Sequence, residues 1–314
     1  MNLVTIRRST TAREPARAVV KWREVIIFCV LAIGLTWLAW VPLVLPQLGQ
    51  ALATGVTPNP AEAPSELSLF LGMFGPLVAA VIMRLFVSKE GLKGSLGLWR
   101  SWKYYLVAFA APALFIAAVI LTSHASGLGT FVAPSHQLPI WLRYVISAVV
   151  SVVALPLMLG EDYGWRGYLL PRLLPLGEIR GTMVLGLIHA AWHLPWLLSG
   201  LVFPGQPLLL VIVVFVFGAL VFSFPYTWLS VASRGSAFLA AIAHGVLNVT
   251  IGYTSLRYIA NGSPLFVSGE GGLISSLILL ILTLVVYGIV KRSPRVEIQH
   301  LQPRLDGTWR DWLR

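Results

Sequence analysis

Acidic residues are scarce in this chain. Only 12 of its 314 residues are Asp or Glu, and charged residues of both signs make up 11% of the sequence. There is a single cysteine, Cys29, which excludes a fold held together by intramolecular disulfides. Hydrophobic residues account for 57% of the chain, and its mean hydropathy is +0.81. A water-soluble domain of this size could not bury so much apolar surface, so the composition indicates a membrane protein.

Eight apolar runs are each long enough to cross the bilayer core, which takes about 20 residues of helix. They lie at roughly 25–46, 67–87, 103–122, 139–160, 181–199, 206–230, 236–256 and 272–291. Because backbone polar groups in lipid must be satisfied within the chain, these runs are predicted to be α-helices. The predicted fold is all-α: a polytopic membrane protein of about eight transmembrane helices that enclose an intramembrane polar cavity. One transmembrane domain, 25–291, lies between basic tails at 1–24 and 292–314.

The basic residues are unevenly distributed between the connecting segments. The chain has 23 Lys and Arg and a net charge of +11, and most of these residues lie in the tails and after the second, fourth and sixth spans. Segments 47–66, 123–138 and 200–205 contain no Lys or Arg, and 257–271 contains only Arg257. This alternation follows the positive-inside rule and predicts a multi-pass protein of the cell membrane with both termini cytoplasmic. Orientation and contact with anionic lipid explain the excess charge, so we expect no nucleic-acid partner.

Two of the few acids border the predicted fourth span. Glu161 and Asp162 directly follow the run 139–160, and a carboxylate at a membrane segment indicates function unless it has a partner. Asp162 and Arg166 are one helical turn apart and are predicted to form a buried ion pair. That pair leaves Glu161 as the carboxylate that acts as general base or acid; the alternative is an inert ion network. Arg84, near a span end, is expected to snorkel to the membrane surface.

Two later spans carry polar side chains one helical turn apart. His189 and His193 have the spacing of a zinc-binding helix, but Ala190 stands where the general-base Glu of a His-Glu-x-x-His helix would be. His244 and Asn248 are placed to present two donors to one oxygen, as an oxyanion hole requires. For each pair the alternative is a structural role, as a hydrogen-bonded core histidine or as an interhelical hydrogen bond.

Together these residues are sufficient for the hydrolysis of a peptide bond. Glu161 would deprotonate a water, His193 would orient it or carry its proton, and His244 with Asn248 would stabilise the tetrahedral oxyanion. An aspartyl dyad, a serine nucleophile and Cys29 all fit the sequence less well. Two other classes stay open: a catalytically silent membrane scaffold or immunity protein that binds a peptide in the same cavity, and a transporter.

In these motifs the chain resembles the CPBP family of intramembrane proteases, the CAAX protease and bacteriocin-processing (Abi) group related to the type II CAAX prenyl endopeptidase. The family pattern is Glu-Glu-x-x-x-Arg, Phe-x-x-x-His, and His-x-x-x-Asn or Asp, on successive core helices. The three motifs lie within about 155–250 of this chain, in the same order. The chain departs from the pattern at two positions, because Asp162 replaces the second Glu and His189 replaces the Phe.

The resemblance implies an intramembrane endopeptidase that cleaves a membrane-associated peptide or protein, with lipidated and bacteriocin-like substrates as candidates. It implies that Glu161 activates water, that His193 and His244 are catalytic and that Asn248 binds the oxyanion. The supporting residues are Asp162, Arg166 and His189. The family is often labelled metalloprotease, and Glu161, His193 and His244 would bind zinc with an open fourth position. We favour hydrolysis without a metal cofactor, because Asn248 suits an oxyanion donor better than a ligand.

Overall fold

The structure, a computed structural model, describes residues 19–59, 66–127, 130–131, 138–250, 259–260 and 272–290. The helices are α1 (Trp22–Thr54), α2 (Glu66–Met73), α3 (Gly75–Ile82), α4 (Trp102–Ala125), α5 (Ile140–Val153), α6 (Leu155–Gly164), α7 (Leu170–Leu173), α8 (Glu178–Trp192), α9 (Leu194–Leu198), α10 (Leu208–Ala232), α11 (Ala237–Thr250) and α12 (Leu273–Val290). The π-helical segments Met83–Val87 and Trp165–Leu169 extend α3 and α6, and a 3-10 turn covers Leu174–Leu176. Strands β1 (Thr130–Phe131) and β2 (Ile259–Ala260) form one short antiparallel ladder.

Several helices are long and apolar enough to cross a membrane. Four of them qualify outright, and the bent pair formed by α5 and α6 with its extension adds a fifth; the four are Trp22–Thr54, Phe70–Val87, Trp102–Ala125 and Leu208–Ala232. Shorter apolar helices lie within α11 and α12, and α8 is 15 residues long. The sequence predicted about eight spans, and the described residues support a helical multi-pass membrane protein with four or five full-length spans.

Two of the predicted spans are broken. The run 139–160 divides at Ala154, where the two helical segments meet at 65°. Within the run 181–199, helix α8 ends at Trp192 and α9 begins at Leu194. His193 therefore lies at a helix end rather than inside a continuous helix. In both cases the next helix has a proline in its first turn, and proline lacks an N–H and disfavours helical backbone in the residue before it.

Two glycines allow α6 to lie very close to the end of α2 and the start of α3. A Cβ on Gly160 would lie 3.0 Å from the carbonyl oxygen of Met73, and a Cβ on Gly164 would lie 2.5 Å from the Cβ of Pro76. Small residues four positions apart are typical of closely packed membrane helices. Both acids of the predicted site lie between these glycines, so the contact fixes the segment that carries them.

α11 packs against α4, α5, α6 and α10. The Ser151 hydroxyl on α5 donates a hydrogen bond of 3.1 Å to the carbonyl oxygen of Gly245. A Cβ on Gly245 would lie 3.0 Å from the Cγ of Met158 on α6. Because Gly245 directly follows His244, these two contacts hold that histidine beside the acids of α6.

Buried hydrogen bonds tie α1 to α2 and α8. The Trp192 Nε1 donates to the Thr36 hydroxyl at 2.8 Å, and that hydroxyl donates to the carbonyl oxygen of Gly72 at 2.8 Å. The Trp37 Nε1 donates to the carbonyl oxygen of Trp192 at 3.0 Å. These bonds satisfy polar groups inside the helical core and fix the end of α8, next to His193.

Arg84 lies inside the protein and not at the membrane surface. Its side chain is 2% exposed and donates to the carbonyl oxygen of Gly167 at 2.6 Å and to the Glu90 carboxylate at 2.9 Å. Arg172 contacts the same Glu90 and pairs with Glu24 of α1 at 2.8 Å. The expectation that Arg84 snorkels is therefore wrong. The guanidinium has several donors in a fixed geometry, and it finds a carboxylate and a carbonyl within the fold.

Candidate active site

The two acids of α6 are both buried. Glu161 is 4% exposed, and Asp162 is inaccessible to solvent. Adjacent residues of a helix point about 100° apart, so the two carboxylates face different groups of side chains. The helix continues directly into the π-helical segment Trp165–Leu169, and such segments are frequent at functional sites.

Asp162 lies between a guanidinium and an imidazole. Its Oδ1 lies 2.8 Å from Nη1 of Arg166, and its Oδ2 lies 2.9 Å from Nδ1 of His244. The carboxylate accepts, so Nδ1 of His244 donates, and this hydrogen bond fixes the tautomer and the orientation of the ring. Arg166 also lies over the ring of Tyr226, 4.9 Å from its centre. The ion pair that the spacing predicted is present, whereas the bond to His244 is a tertiary contact that the sequence did not predict.

Glu161 faces the end of α8. Its Oε2 lies 3.5 Å from Nε2 of His189. One ligand atom from each of Glu161, His189 and His193 can be chosen so that all three lie within 4.8 Å of one another. His189 was the residue that the family pattern left unexplained, and the structure brings it into the group around Glu161.

The tautomer of His193 follows from its contact with the backbone. Its Nδ1 lies 3.0 Å from the carbonyl oxygen of His189. A carbonyl oxygen only accepts hydrogen bonds, so Nδ1 is the donor and, in the neutral ring, Nε2 carries the lone pair. The ring of His193 is partly exposed and lies 5.1 Å from the ring of Phe215.

Aromatic rings surround His189. Its imidazole stacks on Trp192 at 5.7 Å between ring centres and lies 5.6 Å from the ring of Trp165. His193 is the next ring, at 4.7 Å. The exposed fraction falls from the partly exposed His193 to 6% at His189. The group around Glu161 therefore has one face that is partly open at the protein surface and an apolar wall behind it.

Asn248 lies on α11 one turn beyond His244 and is partly buried. Residues four apart on a helix share a face, as the sequence predicted for this pair. Among the described residues, the contacts of the site form two groups, one around Glu161 and one around Asp162. Asn248 is in neither group, and the two groups are joined by the adjacency of the two acids.

Sequence spacing alone could not assign these tertiary partners, although two signals were available. The small-x-x-x-small pattern of Gly160 and Gly164 was visible and predicts close packing of α6. His189 was visible as a histidine in an apolar run, where it needs a partner. The contact of Arg84 with Gly167 had no signal in the sequence.

One segment of the chain matches a known protein family. Residues 134–250 match the family Rce1-like, described as type II CAAX prenyl endopeptidase Rce1-like. No curated protein matches the chain. The matched residues include every predicted site residue from Glu161 to Asn248, and the match confirms the resemblance inferred from the motifs. Over residues 134–250 the chain is therefore similar to the Rce1-like type II CAAX prenyl endopeptidases, and this similarity identifies it as a protease.

Proposed function

We propose that this protein cleaves a peptide bond of a membrane-associated peptide or protein, with lipidated or bacteriocin-like chains as substrates. The observation that carries the proposal is the burial of Glu161 beside the histidines at the end of α8, within the segment that matches a protease family. A buried carboxylate next to groups that bind or relay protons is the arrangement that water activation needs.

Glu161 takes the proton of the attacking water in this proposal. The wall of aromatic rings lowers the local dielectric, so the charge of Glu161 acts strongly on a water beside it. His193 borders the same group and is partly exposed. Because its Nδ1 donates to the backbone, its Nε2 is the atom that orients the water or relays its proton.

His244 and Asn248 stabilise the oxyanion that forms when water attacks the carbonyl. Asp162 holds the His244 ring through Nδ1 and compensates the charge of the imidazolium, which then donates through Nε2. Asn248 adds a second donor from the same face of α11. Donors of this kind are each worth about 100-fold to 1000-fold in rate. Asp162 and Arg166 are positioning residues, because they act through His244.

We also propose eight spans in the cell membrane, with both termini in the cytoplasm. The four full-length spans, the bent α5–α6 pair and the shorter helices α8, α11 and α12 add up to eight segments. The alternation of basic and uncharged connections supports this orientation. Residues 25–291 then form one protease domain, and Glu161 lies toward the cytoplasmic side of the bilayer, where substrate enters from that leaflet or laterally from lipid.

The test is the replacement Glu161→Gln in the full-length protein reconstituted in liposomes. Removal of the general base is expected to lower the rate of cleavage by about 100-fold to 10,000-fold. Comparison of the membrane peptides of cells that carry either form should identify the substrate as a species that accumulates with Glu161→Gln. Glu178→Gln is the matched control, since Glu178 accepts a hydrogen bond from the Tyr287 hydroxyl away from the site. Equal cleavage by the wild type and Glu161→Gln would contradict the role of Glu161 as the general base. No cleavage by either form, with an unchanged cellular phenotype in Glu161→Gln, would indicate a peptide-binding scaffold instead.

A further inference from the structure

We infer that Arg100 and Arg234 form a binding site for the phosphate of an anionic phospholipid, where two connecting segments of the chain meet. The first segment, 88–101, lies between the π-helical extension of α3 and the start of α4, and the second, 233–236, joins α10 to α11. Both lie on the side proposed to be cytoplasmic. Binding of the lipid does not rest on the proposed function, because it can be measured without substrate.

The two arginines meet without a carboxylate between them. Nη2 of Arg100 donates to the backbone carbonyl oxygen of Arg234 at 3.2 Å, and Nη1 donates to that of Trp99 at 2.8 Å. Each of these nitrogens carries a second N–H that an anion can accept. Within the part of the chain that the structure describes, neither arginine forms an ion pair. Partial burial, and after it the charge of Arg234, lower the pKa of Arg100, so a bound anion would offset an existing repulsion.

The backbone of Arg234 indicates that its side chain has a role. Its φ is 58°, in the turn that follows α10. This left-handed region is unfavourable for a residue with a Cβ, and glycine or asparagine usually occupies it after a helix. Residues that keep such a conformation are concentrated at ligand and active sites. The Arg234 side chain is exposed, so a ligand at the surface can reach it.

Two exposed tryptophans identify the source of the phosphate. Trp99 directly precedes Arg100 and is 89% exposed, and Trp102, which begins α4, is 68% exposed. Tryptophan is enriched at the level of the lipid headgroups, where its ring contacts acyl chains and its N–H contacts water. Arginine binds phosphate through paired N–H groups, and basic pockets at the cytoplasmic side of membrane proteins bind anionic headgroups. Free phosphate would make no use of the tryptophans, so we infer a lipid.

The first segment also contacts α6 next to Asp162. The Ser95 hydroxyl donates to the carbonyl oxygen of Leu92 at 2.6 Å and therefore accepts from the Tyr163 hydroxyl at 2.7 Å. Tyr163 is the neighbour of Asp162 in the chain and is buried. The segment is thereby attached to the helix that carries both acids.

The same segment holds the first turn of α11, the helix of His244. The carbonyl oxygen of Leu96 accepts from the backbone N–H of Phe238 at 3.1 Å, and that of Gly97 accepts from the Ser236 hydroxyl at 2.8 Å. A Cβ on Gly97 would lie 2.8 Å from the Cα of Ser236, so the two segments are in close contact.

A bound headgroup would therefore act on the active site through these contacts. By bridging Arg100 and Arg234 it would hold α11 against α6, and it would support the hydrogen bond of 2.9 Å between Asp162 and His244. This effect on catalysis rests on the proposed function. We expect anionic lipid to raise the rate of cleavage.

The binding experiment uses the full-length protein purified in detergent, with phosphatidylglycerol as the probe. Native mass spectrometry at physiological salt should show one phosphatidylglycerol retained per chain where phosphatidylcholine is not retained. The double variant Arg100→Gln with Arg234→Gln should bind it about 10-fold to 100-fold more weakly, the loss expected for charge-assisted hydrogen bonds. Inorganic phosphate at the same concentration should not displace the lipid.

Arg23→Gln with Lys93→Gln is the matched control. It removes the same number of charges from exposed positions on the same proposed side of the membrane. It should retain the lipid, since exposed charges away from the ligand are largely screened by salt. Thermal unfolding without lipid checks that both double variants are folded, and added phosphatidylglycerol should raise the unfolding midpoint of the wild type but not of the arginine double variant.

Cleavage is compared in liposomes of phosphatidylcholine with and without phosphatidylglycerol. The anionic lipid should raise the rate of the wild type by about five-fold or more, and it should not raise the rate of the arginine double variant. An equal rise in both would overturn the coupling to the active site. Absence of cleavage in every form would contradict the proposed function, and the binding result would still decide the inference.

Three results of the binding experiment would overturn the inference. The first is a wild type that retains phosphatidylglycerol no better than phosphatidylcholine. The second is an arginine double variant that retains the lipid as well as the wild type or the control does. The third is displacement of the lipid by inorganic phosphate, which would show a site for a free anion.

Discussion

At the scale of single residues, Asp162 connects most of the site. It pairs with Arg166, holds His244 through a hydrogen bond, and stands next to Glu161 in sequence. Its complete burial means that water cannot replace either partner. The orientation of the proposed oxyanion donor therefore depends on this one carboxylate.

Asp162→Asn should remove both the ion pair and the charge that compensates the His244 imidazolium. Breaking one side of a buried ion pair costs about 3–5 kcal/mol, so the midpoint of thermal unfolding should fall. Cleavage should fall by at least about 100-fold, since the analogous change in a Ser-His-Asp triad costs about 10,000-fold. Both quantities are measured on the same detergent-purified protein.

Asp162→Glu is the matched control for this prediction. It keeps the negative charge and installs the residue that the family pattern has at this position, so it should retain more stability and more activity than Asp162→Asn. Equal loss in the two variants would mean that side-chain length rather than charge matters here. Full activity in Asp162→Asn would contradict the positioning role.

Contacts within one helix could be predicted from the sequence, and contacts between helices could not. The Asp162–Arg166 pair follows from the helical repeat alone. The bond between Asp162 and His244 joins residues 82 positions apart, and only the folded chain brings them together. Arg84 shows the same limit, because the rule that cations snorkel assumes water as the partner, whereas Gly167 and Glu90 supply partners inside the fold.

At the scale of helices, the close approach of α6 to the α2–α3 segment determines where the acids lie. Gly164→Ala would place a methyl group against Pro76, which is backbone and ring rather than a flexible side chain. Overpacking of this kind costs about 1–3 kcal/mol. We expect a lower unfolding temperature and reduced cleavage, measured by thermal denaturation and by the peptide assay.

Gly34→Ala is the control for this substitution. Gly34 also lies within a helix, α1, but a Cβ there would meet no atom within 4 Å. Alanine favours a helix over glycine by about 1 kcal/mol, so this variant should be unchanged or slightly more stable. An equal drop in both variants would show that the close contact of α6 does not limit stability.

The positions of the helix breaks could not be predicted from hydropathy. Pro156 and Pro195 were visible in the sequence, yet hydropathy alone joins the residues on either side of each into one span. No residue type in the sequence predicts the π-helical segment after Gly164 as the prolines predict the breaks, since its hydrogen-bond pattern depends on the packing of the surrounding helices. Class and helical content are therefore predictable from composition, and the path of each span is not.

At the scale of the whole molecule, the proposed orientation makes a prediction about labelling. In a Cys29→Ser background, Lys93→Cys lies in a proposed cytoplasmic connection and Pro204→Cys in an outer one, and both positions are exposed. A membrane-impermeant thiol reagent added to intact cells should label Pro204→Cys only. Lys93→Cys should react after permeabilisation. The reverse pattern would contradict cytoplasmic termini.

The ion-pair network of Glu24, Arg172, Glu90 and Arg84 has a consequence for what a minimal enzyme would contain. Three of these four residues, like Thr36 and Pro76, precede the segment 134–250 that matches the protease family. They nevertheless contact its helices through ion pairs, hydrogen bonds and close packing. The contacts that support the matched segment therefore extend beyond that segment. We expect some inactivating substitutions among the first hundred residues as well. A fragment that began at residue 134 would lack the helices that hold α6 and α8 in place.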